Sequence, residues 1–521
     1  HADRMDGLCG RYAPEEQRNL RKGIIMKNKV VIGAAGVAGA VIVLGQIDVG
    51  AKDLATAPSA TKGEVVLSGG SVPDVIVGDL HERFNYGADG IGNRVFSFGT
   101  TSCNIGNAPL AWVSNTNQHP VIAQNMFRVA PDPVNGHMRI EQLGQSWLKH
   151  GFFALAGSLC QPCQGTAGSA LGVGCSDPYS ATRNADQSDA GAKWQVNAAT
   201  GFFPYPPQTP SPAGDPTVAN LSYGRLKVAE SDVLPSQNPN ARWFGEGQYV
   251  HPQDSPQDGG LPNNASYREV LMNSSGNISA FAGATEREVS GLFAWVEVDA
   301  SVKTGQVNAD GTFFYGYNAY NNGDGTWDYE YAVQNHNSDR AGGSFSVAIP
   351  PNVNVTNIGF HDVDYHSGEA WDNTDWVVTV GASSVTWSSP ESHAQNPNSN
   401  ALRWGTLYNF RFTADTPPGV GTATLGYFKP GTPSSSDISV FGPTEGTPAF
   451  CAADIDGPGG GPDGNVDALD ILLMIAQWGS PCVGSCEADI SGPTPLVPDG
   501  NVDSIDFLLL IAQWGNPANC P

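Results

Sequence analysis

Near the end of the chain, Asp454, Asp456, Asp463, Asn465, Asp467 and Asp470 reappear in the same order as Asp489, Ser491, Asp499, Asn501, Asp503 and Asp506. Each third member is followed by glycine, and each last acid opens an apolar run that ends in Trp478-Gly or Trp514-Gly. Carboxylates and amides at alternating positions around a glycine bend turn hard oxygen ligands toward one point, which is the chemistry that holds Ca2+. From Cys451 to Pro521 there are ten acids and no basic residue. Without a cation those carboxylates repel one another, so folding of this segment is expected to be coupled to metal binding.

The ligand order is that of an EF-hand loop followed by a single helix, with residues 457–462 and 492–498 inserted between the second and third ligand positions. Occurring twice with Asp as the last ligand, the pattern of residues 451–521 resembles a type I dockerin, the calcium-dependent docking module of secreted bacterial proteins. The resemblance implies two Ca2+ sites. Asp454, Asp456, Asp463, Asn465 (through its carbonyl), Asp467 and Asp470 would surround one ion. Asp489, Ser491, Asp499, Asn501, Asp503 and Asp506 would surround the other, more weakly because Ser491 supplies less charge. It further implies that helices at 471–478 and 507–514 pack on each other, and that Ala468-Leu469 and Ser504-Ile505 meet a cohesin-like partner.

The elements upstream must be β-rich. Across 521 residues there are 63 Gly and 38 Pro and only 15% charged residues, a composition that suits short strands joined by many turns. A net charge of -25 and an isoelectric point near 4.6 exclude nucleic acid as a partner, because phosphate binding needs a basic surface. Met26-Lys-Asn-Lys29, the small-residue apolar run at 30–44 and Val49-Gly-Ala51 read as a secretion signal spanning 26–51, with 1–25 as upstream translation. The alternative is an uncleaved anchor, but the run is short for a full span, so no stable membrane span is expected after cleavage. The remaining organisation is a linker at 52–70, a β-rich module at 71–302, an antiparallel β-sandwich at 303–430, a Pro/Ser/Thr/Gly linker at 431–450 and the helical calcium-binding tail.

Within the first module, 138–153 has the spacing of an amphipathic helix, and 157–216 is rich enough in Gly, Pro, Gln and Ser to be mostly loop. In the second, Trp327, Tyr329, Tyr331 and Val333 alternate on one strand face, as do Tyr408, Phe410 and Phe412 on another. Eight cysteines follow the signal: Cys103, Cys160, Cys163, Cys175, Cys451, Cys482, Cys486 and Cys520. An even number in an exported chain reads as disulfides. In the tail the symmetric pairing is Cys451 with Cys482 and Cys486 with Cys520, and two other pairings satisfy the same count. Cys160-Gln-Pro-Cys163 has the spacing of a redox or zinc motif, but no second CxxC completes a zinc site.

Catalytic residues do not declare themselves. No GxSxG, HExxH or phosphate-binding loop is present, and Glu82, Glu141, Glu246 and Glu269 form no pair that sequence identifies. His361-Asp-Val-Asp-Tyr-His366 is the densest ligand-like run outside the repeat. On a strand, Asp362, Asp364 and His366 would share a face and could hold a metal, although a polar outer face is the commoner outcome. His119, His137 and His150 follow no spacing motif. Trp371, Trp376, Trp387 and Trp404 suit either a sandwich core or stacking on sugar rings. The reading that results is a secreted or cell-surface protein whose β modules bind or scaffold on polysaccharide. The alternative is a polysaccharide-degrading enzyme with the same docking tail. Isothermal titration of the full chain should register two Ca2+ per chain. Asp463→Ala and Asp499→Ala should each weaken one site, the second being the weaker from the outset, and affinities unchanged in both variants would refute the ligand assignment.

Overall fold

The computed structural model describes residues 71–208, 219–256, 262–444 and 468–478, together with Val502, Phe507 and Leu510. The described part is mainly β, as the composition demands. The first half is dominated by one antiparallel sheet built on β1 (Val75–Ala88), β2 (Asn93–Asn104), β3 (Val121–Pro131), β4 (Met138–Gln145), β5 (Leu226–Ala229), β6 (Arg242–Val250), β7 (Ala265–Met272) and β8 (Ile278–Glu286), beside a separate two-stranded pair of Leu110–Ala111 with Ala170–Leu171. Their spatial order is β1-β2-β5-β4-β3-β6-β7-β8, and three short strands complete the eleven. The sheet curls until its two edges meet. Asn85 on β1 donates to the Ile278 carbonyl at 2.9 Å and accepts from the Ile278 N–H at 2.8 Å, while Ser266 on β7 donates to the Val77 carbonyl at 2.6 Å. A long edge is thereby protected from pairing with other chains. Inside the curl lie Val75, Val77, Leu80, Phe96, Phe98, Met126, Trp243 and Tyr249.

The second half is a two-sheet sandwich. One sheet holds β9 (Lys303–Asn308), β10 (Thr312–Asn321), β11 (Trp327–Asn335), β13 (Val355–His361) and β16 (Thr406–Ala414), in the order β9-β10-β11-β16-β13. The other holds β12 (Gly342–Ala348), β14 (Val377–Val380), β15 (Ser384–Ser388), β17 (Pro418–Tyr427) and β18 (Ser435–Pro443), in the order β14-β15-β12-β17-β18. Tyr329, Tyr331 and Val333 of β11 and Tyr408, Phe410 and Phe412 of β16 do point into the core, and Phe345 stacks on Phe410 with ring centroids 4.5 Å apart. Trp376 and Trp387 belong to this core. Burial of such rings is the principal stabilising term of the sandwich.

The first β-sheet and the sandwich share an apolar layer. Phe127, Val129, Ile140, Phe244 and Tyr267 pack with Leu292, Trp295, Val302, Phe314, Ala332 and Leu407 in one cluster that crosses the expected boundary at 302/303. Glu246, fully buried on β6, accepts from Asn125 at 2.6 Å, from the Gly291 N–H at 2.6 Å and from Gln334 of β11 at 3.2 Å.

Two stretches differ from expectation. Residues 138–153 are strand β4 followed by the short strand Leu148–His150, and not a helix. The sheet leaves no room for a side chain at position 144, because a Cβ there would collide with the Lys227 carbonyl on β5. Within the expected linker, Ser435–Pro443 is the edge strand β18, and its Ile438 and Val440 are buried in the sandwich core. The loop-rich reading of 157–216 agrees with the short strands and single turns present among its described residues.

One disulfide ties those loops to the sheet and a second closes a loop on itself. Cys160 bonds Cys103 on β2, and Cys163 bonds Cys175. The CxxC cysteines are therefore each joined to a different partner, which replaces the redox or zinc reading with a structural one. Both sulfurs of the first bridge occupy the space where a Cβ on Gly78 would lie. The bridges close segments of 57 and 12 residues, for which loop-closure entropy predicts about 4 and about 3 kcal/mol. Urea denaturation of Cys160→Ser and Cys163→Ser should show losses in that order, and a midpoint indifferent to reduction would contradict the assignment.

Candidate functional site

A cleft of about 240 Å3 opens where the two halves meet, and three tryptophans line it: Trp194 from the first half, Trp371 and Trp404 from the second. Trp194 sits on a single 3-10 turn, Lys193–Gln195. Ala192 before the turn has no side chain to cap it, and the carboxylate of Glu369 substitutes, accepting from the N–H groups of Lys193 at 2.6 Å and Trp194 at 3.2 Å. Burial pushes the Glu369 carboxyl up to about 7 against those hydrogen bonds. Lys193 turns inward and Trp194 stays 37% exposed. The Lys193 ammonium donates to Gln145 Oε1 at 2.9 Å and lies 5.5 Å from the centroid of Trp404. Its own burial lowers it to about 8.

Trp404 crosses from the sandwich into an apolar cluster of the first half, with Val121, Ala123, Leu148 and Val196. The chain can follow it there because Gly405 adopts φ +71°. The Trp404 Nε1–H has no hydrogen-bond partner among the described residues. Arg403 is held between rings, 5.0 Å from the centroid of Trp371 and 4.6 Å from that of Phe428. Its guanidinium donates to the carbonyls of Pro397 at 2.9 Å and Ser399 at 3.0 Å. At the rim Lys429 pairs with Asp339 at 2.8 Å, and His393 also lines the cleft, its ring edge-on to Phe428. Flat apolar walls with a few polar groups are shaped to suit a ring having apolar faces and polar edges.

A second, smaller cleft of about 160 Å3 is lined by Gln142, Lys227, Asp232, His361, Asp362 and Asp364, among others. Strand β13 ends at His361, so the alternation that would align Asp362, Asp364 and His366 does not continue. His366 is buried, with Nε2 bonded to the Gln145 carbonyl at 2.8 Å and Nδ1 to Ser367 Oγ at 2.7 Å, so both nitrogens are taken. No cluster of three His, Cys, Asp or Glu side chains able to hold a metal is present among the described residues. The metal reading of this run is corrected accordingly. Burial raises the Asp362 carboxyl to about 6 against a hydrogen bond from Asn400.

The remaining sequence candidates have structural partners. His119 and His150 bond each other at 2.9 Å, and His137 stacks on Tyr320 with centroids 4.4 Å apart. Glu82 accepts from the Ala181 N–H, Glu141 pairs with Arg128 at 2.6 Å, and Glu269 pairs with Arg242 at 2.8 Å. The expected Ca2+ ligands Asp454, Asp456, Asp463, Asn465, Asp467, Asp489, Ser491, Asp499, Asn501, Asp503 and Asp506 lie outside the described residues. Asp470 falls within the helix Ala468–Gln477. Just after that helix, Trp478 stands edge-on to Phe507, 5.9 Å between centroids. Trp194, Arg403 and Lys429 were not candidates by sequence, and no spacing signal links them.

No family profile and no curated protein matches the chain. Among solved structures, the serine-rich repeat adhesion glycoprotein Srr1 of Streptococcus agalactiae overlaps 67% of this chain and 89% of its own at 9% identity, with a TM-score of 0.18. The collagen adhesin CNA of S. aureus overlaps 72% and 93%, at 9% identity and a TM-score of 0.13. Overlaps this loose do not establish a common fold.

Buried titrating groups give the described part a pH signature. Burial raises Asp254 to about 8 and Asp177 to about 7, alongside Glu369. Each binds a proton in the fold that the unfolded chain releases near pH 4, so each removes stability as pH rises toward its folded value. Burial lowers His251 to about 3 and His336 to about 4, and these act oppositely, but only below the unfolded histidine value of about 6.5. Between about pH 6.5 and 8 the carboxyls stand without that opposition, and thermal stability should fall. Asp254→Asn should flatten that slope by about one proton, or ~1.4 kcal/mol per pH unit. A melting temperature that rises across this window would contradict the assignment.

Proposed function

We propose that the protein is a secreted, non-catalytic surface or matrix component that binds polysaccharide through the three-tryptophan cleft and docks through its calcium-binding tail. The observation that carries this reading is the meeting of Trp194, Trp371 and Trp404, from segments far apart in sequence, at one open recess rimmed by polar side chains. A pyranose has an apolar face that stacks on indole and hydroxyls that reach the rim, and a rigid sheet is all the scaffold such binding needs. Two disulfides among the described residues support an oxidising, extracellular setting. For the tail the support is the repeated ligand pattern itself, with Ca2+ as cofactor and a cohesin-like protein as partner.

A second reading, a polysaccharide hydrolase, draws on the smaller cleft, where burial raises the Asp362 carboxyl to about 6, in a lining shared with Asp364 and His361. A carboxyl in that state is what a general acid requires. The two readings part on one comparison. Trp194→Ala removes an exposed ring and should weaken polysaccharide retention at least about tenfold, ~1.4 kcal/mol, with melting unchanged. Asp362→Asn should leave retention intact. Release of reducing sugar that Asp362→Asn abolishes would establish the hydrolase instead, and full retention by Trp194→Ala would end the cleft reading.

A further inference from the structure

The charges around the cleft run against the composition of the chain. The protein carries a net -25, yet the cleft is lined by Arg403 and Lys429 against a single acid, Asp339. That acid is engaged by Lys429 at 2.8 Å. Arg403 is only 3% exposed and, among the described residues, makes no direct ion pair, although the charge of Asp339, already engaged by Lys429, also reaches it. Its hydrogen bonds go to the neutral carbonyls of Pro397 and Ser399, and its faces to the rings of Trp371 and Phe428. Carbonyl dipoles and ring quadrupoles offset part of the desolvation of a guanidinium, but they do not cancel its charge. Lys429 has three N–H donors and spends one on Asp339, while its side chain stays 35% exposed at the rim.

Building on the cleft reading above, we infer that this site selects saccharides that carry an acidic group, a carboxylate or a sulfate ester, over neutral ones. The sugar ring stacks on the exposed indole of Trp194. The acid oxygens accept from the remaining Lys429 donors and sit in the field of Arg403. A neutral glycan leaves unanswered the one positive charge by which Arg403 and Lys429 exceed Asp339, and an amino sugar polymer is repelled by it. In a low-dielectric recess with aromatic walls such a charge difference is screened less than on open surface.

The test measures binding of the full chain to oligogalacturonate, a sulfated dextran oligomer and a neutral cello-oligosaccharide by isothermal titration, at low and high salt, with and without a calcium chelator. Acidic ligands should bind at least about tenfold more tightly than the neutral one. The preference should shrink with salt and survive the chelator, which separates it from calcium bridging at the tail. The relative affinities for carboxylate and sulfate then identify the acid group. Lys429→Gln should abolish the preference and Lys429→Arg retain it, whereas Trp194→Ala should weaken all ligands together. Equal affinity for acidic and neutral ligands overturns the inference and leaves the cleft reading standing, as does a preference that the chelator removes or that Lys429→Gln leaves intact. Absence of binding to every saccharide overturns both.

Discussion

Gln142, buried on β4, holds the two halves in register. Its Oε1 accepts from the Leu407 N–H at 2.6 Å and its Nε2 donates to the Gly405 carbonyl at 3.3 Å, so one side chain clamps the backbone at the start of β16. On the same strand Arg139 donates to Glu330 of β11 at 2.8 Å, and Asn409 of β16 donates back to the Ile140 carbonyl. A made hydrogen bond of this kind adds only about 1 kcal/mol, but a slip would orphan buried donors and acceptors at about 1–3 kcal/mol each. The polar groups therefore specify the arrangement, and the shared apolar layer around Trp295 and Phe314 supplies most of its stability.

The cleft follows from that clamp. Gly405, fixed by Gln142, is preceded by Trp404, which enters the first half's apolar cluster, and by Arg403, which remains in the recess wall. The Lys193 ammonium lies over the Trp404 ring, and the turn that carries it leaves Trp194 partly exposed. Glu369 of the second half holds that turn through two backbone N–H groups. Both halves are needed to place the three rings, so a loss of register would cost the site as well as the fold.

How much of this could be read in advance depends on what each face of a strand touches. The alternation of Tyr329, Tyr331 and Val333 was legible because one face of β11 meets the sandwich core, and a period of two follows directly. Strand β4 has a helix-like spacing in sequence because both its faces are covered: Arg139 and Glu141 are paired with Glu330 and Arg128, and the pattern of polar and apolar residues is scrambled. Strand β18 was hidden by its Pro- and Ser-rich flanks, which read as linker although Ile438 and Val440 alternate into the core. Trp371 and Trp404 could be named as aromatics but not joined to Trp194, since only the folded junction brings them together. The acidic repeat of 451–521 is the reverse case, a signal wholly local in sequence.

The central claim is that the junction of the two halves is a saccharide site. A crystal structure of the chain soaked with an oligogalacturonate would test it most directly. The account predicts a sugar ring stacked on Trp194 with its carboxylate at Lys429, and a ligand bound elsewhere with the three-tryptophan cleft empty would contradict it.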